Sequence, residues 1–226
     1  MSRPIHLLFE NVHETDILEK ALIVLLEHGA DINAEDRYGC TALTVAARES
    51  FTENVELLLK FGADITCDDG RSLMYAQYPE TVQILLDAGM DVNHVARDGK
   101  TALSCHCPYS EGDMVELLLS RGADVNLGES EGNTPLTGAA NNWRGDIVKL
   151  LLQNPNIDVN KKDSFGYAPL TNSVELGDYE TAKLLLEKGA DISCLSDLKA
   201  SPLELHCHNP RLFHLLLQFG AMKWGK

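Results

Sequence analysis

A Gly-Ala-Asp signature returns along this chain at a nearly constant interval, and that interval limits the fold more than any other feature. It reads "GADIN" from residue 29, "GADIT" from 62, "GMDVN" from 89, "GADVN" from 122, "NIDVN" from 156, "GADIS" from 189 and a worn "GAMKW" from 220. The aspartates Asp31, Asp64, Asp91, Asp124, Asp158 and Asp191 are separated by 33, 27, 33, 34 and 33 residues. A unit near 33 residues, copied in tandem, cannot bury its apolar face alone and must stack on its neighbours.

Each phrase of the unit has a mechanical reason. A leucine-rich stretch precedes each signature ("VELLLKFG", "VQILLDAG", "VELLLSRG", "AKLLLEKG"), and "CTALTVAA", "KTALSCHC", "NTPLTGAA" or "YAPLTNSV" follows it. Thr41, Ser72, Thr101, Thr134 and Ser201 stand where a hydroxyl caps a helix, and Pro135, Pro169 and Pro202 fall in the first turn, where no N–H is missed. A second helix carries the leucines and stops at a glycine, the residue that adopts the left-handed closing conformation at least cost. Between that glycine and the next cap, "ADINAEDRYGC" has the Asp, Asn and Gly content of a tight turn. At about 100° per residue the adjacent Leu57, Leu58 and Leu59 cover roughly 200° of helix circumference, wider than one core-facing stripe. Burying each such leucine between stacked copies contributes on the order of 1.5 to 3 kcal/mol.

These units resemble ankyrin repeats, whose pattern is a turn and two helices around T-P-L-H-x-A, over roughly residues 4 to 223. The resemblance implies an all-α ankyrin-repeat solenoid of stacked helix-turn-helix units with short projecting β-turns or hairpins, and a protein-binding role. No unit keeps the family's His: Thr44, Met74, Ser104, Thr137, Thr171 and Glu204 stand there, and the Thr and Ser hydroxyls are expected to replace part of its bonding. The units run approximately over 1–33 (an N-terminal cap), 34–66, 67–93, 94–126, 127–160, 161–193 and 194–226 (a C-terminal cap), a single domain of seven helix pairs expected to be whole. The third unit is short: Gly62 to Leu73 is 11 residues where Gly29 to Leu43 is 14, and Leu73 to Gly89 is 16 where Leu43 to Gly62 is 19. Three residues are lost from the turn and three from the interhelix loop, which places Pro79 at the start of the second helix, as a similar tightening places Pro210.

Other classes of function fit poorly. The longest apolar run, "ALIVLL" from Ala21, is too short to cross a bilayer, and "MSRPIHLLFENVHE" lacks a signal peptide's unbroken apolar segment. Six thinly spread cysteines fit reduced thiols, and a cytoplasmic or nucleocytoplasmic protein is expected. A formal charge of −15, with Lys161–Lys162 the only adjacent basic pair, opposes a phosphate backbone. The clusters Cys105–His106–Cys107 and His206–Cys207–His208 suggest zinc, but lie three units and roughly 25 to 30 Å apart. Consecutive helical residues also diverge by about 100°, so space-filling between helices is the favoured reading. No metal, no cofactor and no catalytic residues are expected.

What the resemblance implies instead is an adaptor, expected to act as a monomer, that holds another protein; the acidity either favours a partner with a basic surface or serves as a solubilising exterior. In proteins of this kind partners touch variable positions in the turns and at the ends of the first helices. Carried over, these are Arg37 and Tyr38, Arg97 and Asp98, Ser130 and Glu131, Ser164 and Phe165, Asp197 and Leu198, with Cys40, Lys100, Asn133, Tyr167 and Ala200 after them. Arg48 and Glu49, Asn141 and Asn142, and Glu175 and Leu176 end the first helices. The set singled out as partner-binding is Arg37, Tyr38, Arg48, Arg97, Asp98, Lys100, Glu131, Asn141, Phe165 and Tyr167, with the turn aromatics as anchors. Trp143, in the interhelix loop, marks a second contact or covers a helix end. The alternative readings are an array hydroxylated at Asn33, Asn93, Asn126 and Asn160, or a microbial effector that modulates a host protein.

Overall fold

The computed structural model describes residues 5, 6, 8, 15–49, 51–129, 132–197 and 209–220. Among them the secondary structure is helical, with no strand. Packing divides the chain into an N-terminal body, Met1–Arg97 with Ser120–Gly122, and a C-terminal body, Asp98–Leu119 with Ala123–Lys226.

In the N-terminal body, α1 (Thr15–Glu27) is followed by two helix pairs, α2 (Ala42–Arg48) with α3 (Thr52–Lys60) and α4 (Arg71–Tyr75) with α5 (Pro79–Asp87). In the C-terminal body, α6 (Ala102–His106) pairs with α7 (Gly112–Ser120), α8 (Pro135–Asn141) with α9 (Gly145–Leu151), and α10 (Pro169–Leu176) with α11 (Tyr179–Glu187). A 3-10 turn, Ile192–Asp197, then leads toward α12 (Pro210–Gln218). First helices of five to eight residues are too short to hold themselves in water, so their stability comes from neighbours. First helix packs on first helix (α2 on α4, α8 on α10) and second on second (α3 on α5, α9 on α11). Leu43, Leu58, Leu73 and Leu85 fill one core, and Leu103, Leu118, Leu136, Ile147, Leu170 and Leu185 the other. Of the three adjacent leucines of α3, Leu57 and Leu58 are buried and Leu59 is half-buried.

The caps follow their residue types with one correction. Thr41, Thr101 and Thr134 each accept from the backbone N–H three residues on, and the Thr or Ser there returns the bond, so Thr44, Ser104 and Thr137 close capping boxes. Pro79, Pro135, Pro169 and Pro210 all sit at the starts of their helices. Ser72 is not a cap: α4 begins one residue earlier, after Gly70 in a left-handed conformation. In the short unit the capping role passes to Asp68, which is 1% exposed. Its carboxylate accepts from the N–H of Ser72 (2.8 Å), the N–H of Gly70 (3.0 Å) and the hydroxyl of Thr44 (3.0 Å) in the preceding repeat. The loss of three turn residues brings the acid to the helix end and leaves Ser72 inside the first turn, where its hydroxyl contacts Met90. Ser201 and Pro202 lie outside the described residues.

The closing glycines behave as their type requires: Gly29, Gly62, Gly89, Gly122, Gly189 and Gly220 all have φ between +80° and +105°. After them comes a joint made by asparagine. The N–H of Asp64 donates to the side-chain oxygen of Asn33 (2.8 Å), and the amide of Asn93 donates to the Gly122 carbonyl (3.0 Å). In the C-terminal body Asn126 uses both ends, donating to the Asn156 carbonyl (2.7 Å) and accepting from Asp158 (2.8 Å), and Asn160 accepts from Asp191 (2.8 Å). Each asparagine is itself held by an N–H bond to the aspartate two residues before it.

Candidate functional site

Two of the turns that carry predicted contact residues share one construction. In the N-terminal body the N–H of Asp36 donates to the Cys40 carbonyl (2.8 Å) and that of Gly39 to Asp36 (3.1 Å). The Asp36 carboxylate then accepts from Tyr38 (2.7 Å) and Cys40 (2.9 Å). Partial burial raises the pKa of Asp36, but those two N–H bonds outweigh it and hold the carboxyl below its usual range. In the C-terminal body Asp163 builds the same turn, accepting from Phe165 and Tyr167 at 2.9 Å each, with its own N–H on the Tyr167 carbonyl (2.9 Å). An aspartate at the turn's first position thus pins the backbone of the residues at its tip.

The rings so positioned point away from the core. Phe165 is 72% exposed and Tyr38 66% exposed, so neither is absorbed by packing on a neighbouring turn. The Arg37 guanidinium lies 4.6 Å from the centre of the Tyr38 ring, which places a cation on an aromatic face. From the next repeat, Arg71 donates to the carbonyls of Tyr38 and Gly39, and a side chain at Gly39 would collide with that guanidinium. Tyr167 is half-buried at the base of its turn. Cys40 is corrected: at 7% exposure it is core, its carbonyl accepting from the ring N–H of buried His6 (2.7 Å).

Arg48 is exposed at the end of α2 and its guanidinium is joined to Glu49 at 3.0 Å. Arg97 is exposed, and its backbone N–H is fixed by Asp69 (3.0 Å), a residue at φ +55° that also pairs with His94 (3.2 Å). Asp98 and Lys100 form a 3.5 Å pair. Partial burial works against the charge of Lys100, yet Asp98 and Glu129 outweigh it and raise its pKa. Asp197 ends a 3-10 turn where a tight turn was expected. Ser130, Glu131, Leu198 and Ala200 lie outside the described residues.

Asn133 and Asn141 join residues that no motif drew attention to. A pocket of about 170 Å³ in the C-terminal body is lined by Pro108, Tyr109, Glu129, Asn133, Gly138 and Asn141, among others. Tyr109 is 78% exposed. Gly128 makes the approach of Glu129 possible, because a Cβ there would strike the Asn133 carbonyl. Trp143, 58% exposed at φ +58°, stands on the next interhelix loop. The signal that finds Tyr109 and Trp143 is an aromatic in a loop between two helices; nothing in the local sequence finds Glu129.

The Cys105–His106–Cys107 cluster is divided by the helix. His106 is buried with its ring within 2.8 Å of the Ser110 hydroxyl, and Cys107 is fully buried, which drives its thiol pKa far up. Burial pushes Cys105 up to about 11. Among the described residues no three His, Cys, Asp or Glu are grouped to hold a metal ion, and no helix is long and apolar enough to cross a membrane. The cluster at His206 lies outside the described residues.

Comparison with known proteins gives one family. A model of ankyrin repeats in three copies matches residues 4–69, 72–163 and 128–196. Ankyrin repeat and SOCS box protein 6 of Mus musculus is 37% identical over 107 residues, 43% of this chain, a match spanning 26% of that relative's length. Putative ankyrin repeat protein YahD of Escherichia coli (strain K12) is 31% identical over 188 residues, covering 78% of this chain and 77% of its own. Among solved structures, the ankyrin repeat domain of Bcl-3, a member of the IkappaB protein family, superimposes with a TM-score of 0.75 at 25% identity, covering 95% of this chain and 97% of that one.

Proposed function

The chain belongs to the ankyrin repeat family, and from that premise we propose that it is a non-catalytic scaffold, acting as a monomer in the cytoplasm or nucleocytoplasm, that holds a partner protein on its turn tips and the exposed sides of its first helices. The reading is supported above all by Tyr38 and Phe165, aromatic rings 66% and 72% exposed on turns that their own aspartates hold rigid. A backbone fixed in advance loses little conformational freedom on binding, which helps a few aromatic side chains to dominate an interface. Arg37, Arg97 and the Asp98–Lys100 pair supply polar selection around them, with Arg48 and Asn141 at the ends of first helices.

The test is affinity capture from the source cell with the wild-type chain and with Tyr38, Arg97, Phe165 and Tyr167 all changed to alanine. Capture of the partner is expected to be lost while thermal unfolding stays nearly unchanged. Equal capture by both proteins rejects this surface.

A second reading, hydroxylation at Asn33, Asn93, Asn126 or Asn160, draws on the same joints. The asparagine amides already bridge successive turns, so a modifying enzyme would act on side chains engaged in the joint. A one-oxygen mass increase on these peptides from the native host supports it; its absence counts against it.

A further inference from the structure

The pocket of the C-terminal body has a chemistry that selects its occupant. Tyr109, an exposed ring, lines it together with Asn133, Gly138 and Asn141, and the Pro108 ring lies where a side chain at Gly138 would point. Among the described residues that line the pocket one carries a formal charge, the negative charge of Glu129. A phosphate or carboxylate meets repulsion there. An apolar side chain would strip water from a carboxylate and two amides without replacing their hydrogen bonds. A guanidinium or ammonium meets a carboxylate, amide oxygens and an aromatic face together. A volume of about 170 Å³ suits one side-chain head and excludes a helix or strand. The chain's formal charge of −15 adds a long-range pull on a basic segment.

We propose that this pocket seats a single arginine or lysine side chain of a basic partner segment, with Glu129 as its charge partner, Tyr109 as the ring it lies against, and Asn133 and Asn141 as flanking acceptors. The assignment rests on the protein-binding role argued above and names what that face selects. Lys100 is a competing cation. It pairs with Asp98 at 3.5 Å and lies in the field of Glu129, so removing its charge strengthens the hold on an incoming cation.

The experiment adds N-acetyl-arginine amide, N-acetyl-lysine amide or the neutral isostere N-acetyl-citrulline amide to the isotope-labelled full chain and follows its backbone amide resonances. The cations are expected to move Glu129, Asn133, Gly138 and Asn141. A charge-assisted hydrogen bond corresponds to about a tenfold or greater change in affinity, so citrulline and the variant Glu129→Gln should each bind about tenfold more weakly. Lys100→Gln should bind the cations more tightly. Equal response to citrulline, or an undiminished response in Glu129→Gln, overturns the charge assignment, and shifts confined to other regions overturn the pocket. The readout needs no partner. Arginine binding here with failed capture supports the pocket and counts against the protein-binding role, whereas capture without any arginine response overturns the pocket alone.

Discussion

Replacing Asp68 with alanine tests how the short repeat is held. The side chain is 1% exposed and accepts three hydrogen bonds, two from the backbone entering α4 and one from Thr44. Its removal leaves three donors in a space that water enters poorly, each costing about 1 to 3 kcal/mol when unpaired. With the helix-end N–H groups recovering part of this from solvent, the loss is expected to be about 3 to 4 kcal/mol. At about 2 to 4 °C per kcal/mol for a chain of this size, the melting temperature falls by roughly 10 °C. Repeat arrays can unfold in parts, so urea denaturation followed by circular dichroism should be joined to hydrogen exchange at the amides of Gly70 and Ser72. Those two should exchange faster, while the amides entering α8 remain protected. The Thr44 bond is isolated by a double-mutant cycle with Thr44→Val, in which Asp68→Ala should cost about 1 kcal/mol less. A total loss below about 1 kcal/mol, or no coupling between the two positions, refutes the assignment of Asp68 as the cap.

Two further outcomes can be measured on the turns. Gly132 is at φ +79° and a Cβ there would come within 2.9 Å of the Asp163 backbone, whereas Gly166 at φ +87° has nothing within 4 Å. Gly166→Ala should therefore cost only the backbone preference, about 1 to 2 kcal/mol, and Gly132→Ala distinctly more by urea denaturation; equal losses would remove the proposed clash. The depressed carboxyl of Asp36 contributes stability that is complete above its unfolded value near pH 3.9 and is lost as pH falls through the lower folded value. The amide resonances of Tyr38 and Cys40 should titrate together below that unfolded value, and a midpoint above it contradicts the bonding described.

Much of the architecture is legible in residue types because the relevant rules are local. A glycine that ends a helix, a threonine that starts one and a proline in its first turn answer to their own backbone, and Thr41, Thr134, Pro79 and Gly89 all do so. The reading fails where a partner lies a repeat away. Ser72 has the right type and spacing for a cap, but Asp68, made adjacent by the deletion, competes with a charge and wins. Asn33, Asn93, Asn126 and Asn160 read alone as candidate modification sites, since their hydrogen bonds go to backbone about 30 residues on. For the candidate face, exposure of Tyr38 and Phe165 followed from their place in a turn, while burial of Cys40 two residues beyond Tyr38 did not. The pocket stayed hidden because Tyr109, Glu129 and Asn141 belong to a loop, a turn and a helix end that meet only after α8 stacks on α6.

The asparagine joints carry a consequence for how such a chain can change over generations. Asn126 grips the Asn156 carbonyl and the Asp158 amide, groups that every residue but proline supplies in the same form. The coupling therefore ignores which side chain the following module displays at its crest. Letters at the crest can be rewritten under selection for a new target while the fastening beneath them stays intact, so recognition and assembly evolve on separate accounts of the same loop.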